Sequence, residues 1–194
     1  MTARLVACDG TVVRLEVERY MSTPSAAEQE LLMRAPAPVL DVGCGPGRHV
    51  LALVENGRVA LGVDVAPTTI DMARCKGAPV LLRSIFDRVP AAGRWGSALL
   101  LDGNIGIGGN PESLLTRLGE LLRPHGRVLA ELEPPGAGTR SLRMRIESAG
   151  ITTPAFPWAR VGVDDVSALS LRAGFELDHL WSAEGRWFVN LRRQ

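Results

Sequence analysis

The sequence predicts an α/β fold, an open and mostly parallel sheet with helices on both faces, and three observations carry that expectation. Between about Val39 and Leu132, short apolar runs alternate with amphipathic segments, the pattern of βαβ units around a parallel sheet. The first run, Val39-Leu40-Asp41-Val42, leads into glycines at alternate positions, Gly43, Gly45 and Gly47. The next three runs end near Asp64, Phe86-Asp87 and Asp102-Gly103-Asn104. In an open α/β sheet, ligands bind outside the carboxyl ends of the strands, so four successive ends with this chemistry mark a site.

The elements follow in order. Ser25-Ala26-Ala27-Glu28 has capping-box spacing and opens a helix to about Met33. Strands are expected at Val39–Val42, Val59–Val63, Val80–Leu82, Ala98–Leu101 and Val128–Leu132, with helices at Arg48–Glu55, Pro67–Cys75 and Pro111–Leu122. In the last helix Leu114, Leu115, Leu118, Leu121 and Leu122 form one apolar stripe, and Asn110 suits its N-cap. Pro124-His125-Gly126 reads as the turn that ends it. Asp9-Gly10 suggests an early hairpin, and Arg143–Glu147 with Ile151–Phe156 suggests another around Ala149-Gly150. A helix starting at Asp164 or Asp165 and stopped by Gly174 precedes two strands, Phe175–Leu180 and Trp187–Leu191.

Composition bounds the partners. A chain of 194 residues, 46% apolar, buries a substantial core, and one domain over 1–194 is expected. Within it, 1–36 reads as an N-terminal cap, 37–133 as the ligand-binding core, 139–160 as a hairpin insertion, and 161–194 as a closing helix and strands. The net charge of +1 and the absence of long basic runs argue against nucleic acid as a partner. Lys76 is the only lysine, so 21 of the 22 basic residues are arginine, a bias typical of a GC-rich, bacterial-type genome. Cys8, Cys44 and Cys75 are too widely spaced for a metal or disulfide framework. No leader-like or membrane-spanning apolar run is present, so a cytoplasmic location without a membrane partner is expected.

The chemistry of the glycine loop is that of a nucleoside-cofactor binder. Gly43 and Gly45 bring backbone close to a ligand, and Gly47 lets the next helix begin tight against the strand. A dinucleotide fingerprint would place glycine where Arg48 stands. Asp64, about twenty residues on, is placed to accept ribose hydroxyls.

Residues 39–132 resemble a class I S-adenosylmethionine-dependent methyltransferase. The resemblance rests on Val39-Leu40-Asp41-Val42-Gly43-Cys44-Gly45-Pro46-Gly47, which matches that family's first motif at nearly every position. It implies a Rossmann-like sheet with an antiparallel last strand and S-adenosyl-L-methionine as cofactor. It also implies that Asp41, Gly43, Cys44, Gly45 and Gly47 hold the methionine portion and Asp64 the ribose. By the same carry-over Val65 and Phe86 flank adenine, Asp87 accepts from its amino group, and Asp102 and Gly103 close near the sulfonium. Arg123-Pro124-His125-Gly126 corresponds to the family's Pro-Gly-Gly turn, with His125 in place of a glycine. Tyr20, in Arg19-Tyr20-Met21, stands where related enzymes place an aromatic over the carboxylate end of the cofactor.

The substrate side is less specific. Candidates for a catalytic base are Asn104, Asp102 and His49, although a histidine one turn into a helix is more often a packed or surface side chain. His125 and His179 lie away from the expected site. Glu131 and Glu133, at the end of the fifth strand, either face the acceptor or cap and solvate. Asn104, Trp158 and Arg160 are the candidate acceptor contacts, since an aromatic beside an arginine suits an acidic or aromatic small molecule. The leading expectation is in-line methyl transfer to a small molecule. The alternatives are an enzyme of the same fold that cyclises or cleaves the sulfonium, and a non-catalytic binding protein. A nicotinamide oxidoreductase is disfavoured, because Tyr20 and Lys76 are the only residues of their types and cannot form a Tyr-x-x-x-Lys pair.

Overall fold

The structure is a computed structural model and describes residues 3–15, 17–148 and 150–194. Its main element is a seven-stranded sheet built from β3 (Val39–Val42), β4 (Ala60–Asp64), β5 (Val80–Leu82), β6 (Trp95–Leu100), β7 (Leu122–Leu132), β11 (Phe175–Ala183) and β12 (Arg186–Arg193). The strand order is β11-β12-β7-β6-β3-β4-β5. Neighbours from β5 to β7 pair in parallel, while β12 runs antiparallel to both β7 and β11. This is the Rossmann-like mixed sheet with an antiparallel last strand that the sequence predicts.

Helices α2 (Ala26–Arg34), α3 (Arg48–Glu55), α4 (Pro67–Cys75), α5 (Pro111–Leu121) and α6 (Val163–Arg172) cover the sheet, and α1 (Val17–Met21) precedes them. The core divides into two clusters, as a sheet covered on both sides requires. One holds Leu40, Leu100, Leu114, Leu118 and Phe175. The other holds Leu31, Val39, Leu53, Ile70 and Phe188. Local signals were accurate where caps define them. Ser25 and Glu28 form the expected capping box, and the Asn110 side chain accepts from the Ser113 N–H.

Three features differ from the sequence expectations. Strand β7 begins at Leu122 and runs through the expected Pro124-His125-Gly126 turn, with a register shift opposite Trp95 and Ser97. His125, which replaces a family glycine, sits at φ 59°, the left-handed conformation a glycine takes most easily. The expected second hairpin forms, but its return strand is interrupted at 153–155 and runs on past the expected end to Arg160. β8 (Arg140–Ser148) pairs with β10 (Phe156–Arg160), while only Ile151–Thr152 (β9) remains of the predicted return strand before Pro154. Pro157 is tolerated because β10 is an edge strand.

The third difference positions the site. The early hairpin, β1 (Ala3–Ala7) and β2 (Val12–Leu15), does not stand alone as a cap. β1 pairs antiparallel with β8, so both hairpins merge into one sheet of order β10-β8-β1-β2 with β9 on its side. This second sheet lies over the carboxyl ends of the parallel strands. It is pinned there at Gly106, where a Cβ would lie 1.9 Å from the Ala159 carbonyl oxygen. Close backbone approach of this kind needs glycine.

Candidate active site

A cleft of about 650 Å³ opens between the carboxyl ends of the parallel strands and the second sheet. Its floor is the glycine loop. Gly43, Gly45 and Gly47 take φ of 72°, 51° and 81°, all in the left-handed region. A Cβ on Gly45 would meet nothing within 4 Å, nor would one on Gly103. Both residues line the cleft, so their backbones face open space. Gly43 differs: a Cβ there would lie 2.7 Å from the Asn104 Nδ2.

Asp64 joins the loop to β4. Its Oδ2 accepts from the Gly45 N–H at 2.8 Å and its Oδ1 from the Ala66 N–H at 2.8 Å. Each carboxylate oxygen keeps lone-pair capacity for a further donor, and the side chain borders the cleft. Asn104 is turned to structure. Its amide donates to the carbonyls of Val42 (2.9 Å) and Gly43 (3.0 Å), clamping the strand end to the loop after β6. That occupies the amide N–H groups, so Asn104 is a clamp in this arrangement rather than a base.

Beneath the cleft lies an ionic network that the sequence reading missed. Glu28, fully buried, accepts from five donors. Arg48 reaches it twice, at 2.6 and 2.8 Å, with Arg186 at 2.6 Å, Arg19 at 3.0 Å and the Ser25 N–H at 2.9 Å. Arg48 and Arg19 also reach Asp102, at 2.8 and 2.9 Å. Arg186 forks onto Glu131 at 2.8 and 2.5 Å, and Glu131 in turn accepts from the Asp102 N–H at 2.7 Å. Three arginines thus balance three carboxylates. Burial pushes the Glu28 carboxyl up, but its cationic neighbours outweigh this and hold it far below the usual carboxylate range. One signal was present in the sequence: Arg48 stands at the first position of α3, where the helix dipole disfavours a cation unless acids elsewhere hold it.

His49 belongs to the same buried layer. Burial disfavours its charge, but Asp41 at 3.7 Å and Glu28 at 3.9 Å outweigh that and push it up to about 9. Those separations are ion-pair distances rather than hydrogen bonds, and Asp41 Oδ2 and His49 Nε2 have no hydrogen-bond partner. An imidazolium held this way is a poor base at neutral pH. Tyr20, on α1, borders the cleft, and burial together with the Asp102 charge raises its phenol. The Cys44 thiol is buried against Gly62, where a Cβ would lie 2.6 Å from its sulfur. Burial, with Asp41 and Asp64 nearby, pushes that thiol up.

The structure therefore brings Tyr20, Gly43, Cys44, Gly45, His49, Asp64, Asp102, Gly103, Asn104, Trp158 and Arg160 to one cleft. It does not bring five others there. Asp41 is buried beneath the loop. Gly47 packs against the other layer, where a Cβ would lie 3.0 Å from Ala78 and 3.1 Å from Ala73. Val65, Phe86 and Asp87 are exposed and do not line the cleft, Phe86 resting its ring beside Gly108. Arg160, expected to be free for a substrate, forks onto Glu133 at 2.7 and 2.5 Å. Trp158 packs its indole edge on Gly106 and meets Phe156 edge-on, ring centres 6.1 Å apart.

Among the described residues no helix is long and apolar enough to cross a membrane. Residues 39–126 match the family model described as a methyltransferase domain. An S-adenosylmethionine-dependent methyltransferase from Bacteroides fragilis, solved with S-adenosyl-L-homocysteine, is 21% identical with a TM-score of 0.81, over 98% of this chain and 87% of that one. The 1,6-didemethyltoxoflavin-N1-methyltransferase of Burkholderia thailandensis is 19% identical, with a TM-score of 0.65 over 87% of this chain and 77% of that one. The glycopeptide N-methyltransferase MtfA is 14% identical, with a TM-score of 0.67 over 89% of this chain and 95% of that one. At these identities the likeness is one of fold.

Proposed function

We propose that this chain, whose residues 39–126 match a methyltransferase-domain family model, is a class I S-adenosylmethionine-dependent methyltransferase that transfers a methyl group to a small-molecule acceptor. The observation that carries the reading is the single cleft that unites the glycine loop, Asp64 and the second sheet. Its volume of about 650 Å³ lies within the range of roughly 300–1,000 Å³ typical of small-molecule sites. The residues fit S-adenosylmethionine: Gly45 and Gly103 leave open space that a side chain would fill, and Asp64 has acceptor capacity for ribose hydroxyls. Neighbours of the same fold, solved with S-adenosylhomocysteine or S-adenosylmethionine, favour the same cofactor.

When bound, that cofactor supplies a methyl group already activated on a sulfonium. The chain then has only to position and to exclude water. In this reading Asp64 orients the ribose, and the loop from Gly43 to Gly45 holds the methionine portion. Asp102, fixed by Arg19 and Arg48, borders the reacting end. Glu131 and Glu133 are each forked by an arginine and His49 is sealed as an imidazolium, so the acceptor brings its own lone pair. Residues 1–194 act as a single domain, with 37–133 holding the donor and the merged hairpins closing over the acceptor. The free thiols of Cys8 and Cys75 suit a reducing cytoplasm. Calorimetry with S-adenosylhomocysteine tests the donor site: one site per chain is expected, and no binding by folded protein would sink the reading. Mass spectrometry of products then separates methylation from cleavage or cyclisation.

A further inference from the structure

Resting on the reading of this cleft as a methyl-transfer site, we propose that its acceptor is an uncharged, apolar, ring-bearing small molecule held against the inner face of the second sheet. Strand alternation sets the two faces of this sheet. Residues directly opposite one another share a face, and Leu5 pairs with Ile146 while Met144 pairs with Phe156. With Leu15 and Trp158 these six side chains border the cleft. The other face carries the Arg4–Glu147–Arg145 ion pairs. The sheet is therefore amphipathic, with its apolar side turned inward.

Such a face ordinarily packs on protein. Among the described residues, both hydrophobic core clusters lie around the seven-stranded sheet, and none of these six side chains belongs to either. Met144 is buried, while the other five are half-buried and turn their remaining apolar surface to the space above the proposed donor site. Trp158 and Phe156, edge-on at 83°, make a corner that suits a planar ring.

Charge points the same way. Arg160 is forked by Glu133, Arg48 by Glu28, and Arg19 lies between Glu28 and Asp102. Glu131 is held by Arg186. A charged acceptor would have to break one of these pairs or sit unpaired beside apolar side chains, and either is costly. An uncharged ring only displaces water from apolar surface.

The test uses a matched pair of fluorescent probes, N-phenyl-1-naphthylamine and 8-anilino-1-naphthalenesulfonate, which differ in one sulfonate. They are titrated against protein saturated with S-adenosylhomocysteine. The uncharged probe is expected to bind one site about tenfold or more tighter than the sulfonate. Ile146→Asp and Phe156→Asp, each checked for folding by circular dichroism, are expected to abolish that site. Equal or tighter binding of the sulfonate, no binding of the uncharged probe, or its retention in both variants overturns the proposal. Failure of S-adenosylhomocysteine itself to bind would instead overturn the methyltransferase reading, so the two failures are distinct.

Discussion

Glu28→Gln is the most revealing single substitution. The carboxylate is fully buried and satisfies Arg48, Arg186 and Arg19 at 2.6–3.0 Å, tying α1, α2, α3 and the end of β12 together. Glutamine keeps the shape but removes the charge and aims an amide N–H at a guanidinium. Three arginines then face only Asp102 and Glu131. Breaking a buried ion pair by removing one partner costs about 3–5 kcal/mol. For a domain of this size each kcal/mol shifts the midpoint by roughly 2–4 °C, so a fall of roughly 6–20 °C is expected. Glu30→Gln on the same helix is the control. Its pair with Arg34 is exposed, and such pairs contribute about 0–1 kcal/mol. Thermal and urea unfolding, each followed by tryptophan fluorescence, read the midpoint and the free energy of both variants. A further signature is pH dependence: the lowered Glu28 carboxyl contributes stability that is full above its unfolded value of 4.5 and is lost progressively as pH falls below it. Glu28→Gln should lose that slope. A loss under about 1 kcal/mol, indistinguishable from Glu30→Gln, would refute the network as a structural hub.

Three other outcomes follow from the geometry. Asp64→Asn leaves one acceptor where two are used and turns an amide donor toward a backbone N–H; calorimetry should show S-adenosylhomocysteine bound about 10–150-fold more weakly, a cost of about 1.5–3 kcal/mol. A change under about threefold would count against its ribose role. His49, raised to about 9, contributes stability that is full below pH 6.5 and is lost as pH rises through 9, on the order of 3 kcal/mol, and unfolding of His49→Gln at pH 6 and pH 9.5 should show a flatter profile. Gly106→Ala puts a methyl group into the Ala159 carbonyl, so the second sheet should lift from the core; limited proteolysis should cut within 140–160 first, and equal resistance to wild type would contradict the pinning role.

What the sequence revealed is what local chemistry encodes. Strands β3 and β5 and helices α3 and α4 fall on their expected bounds because apolar periodicity, Pro67 and the glycine loop act within a few residues. The capping role of Glu28 was legible for the same reason. Its second role was not, since its partners Arg48 and Arg186 lie 20 and 158 positions away. The same distance in sequence hid the pairing of β1 with β8, which turns two separate hairpins into one roof. Asn104 and Arg160 were found as residues of the cleft, but residue type could not show that the amide clamps Val42 and Gly43 or that the guanidinium is taken by Glu133.

A crystal structure with S-adenosylhomocysteine is the sharpest check on the donor site. Ribose oxygens are expected within hydrogen-bond distance of the Asp64 carboxylate, the methionine portion on the Gly43–Gly45 backbone, and the sulfur opening toward Ile146 and Trp158. A ligand seated elsewhere, or one with its ribose turned away from Asp64, would contradict this placement.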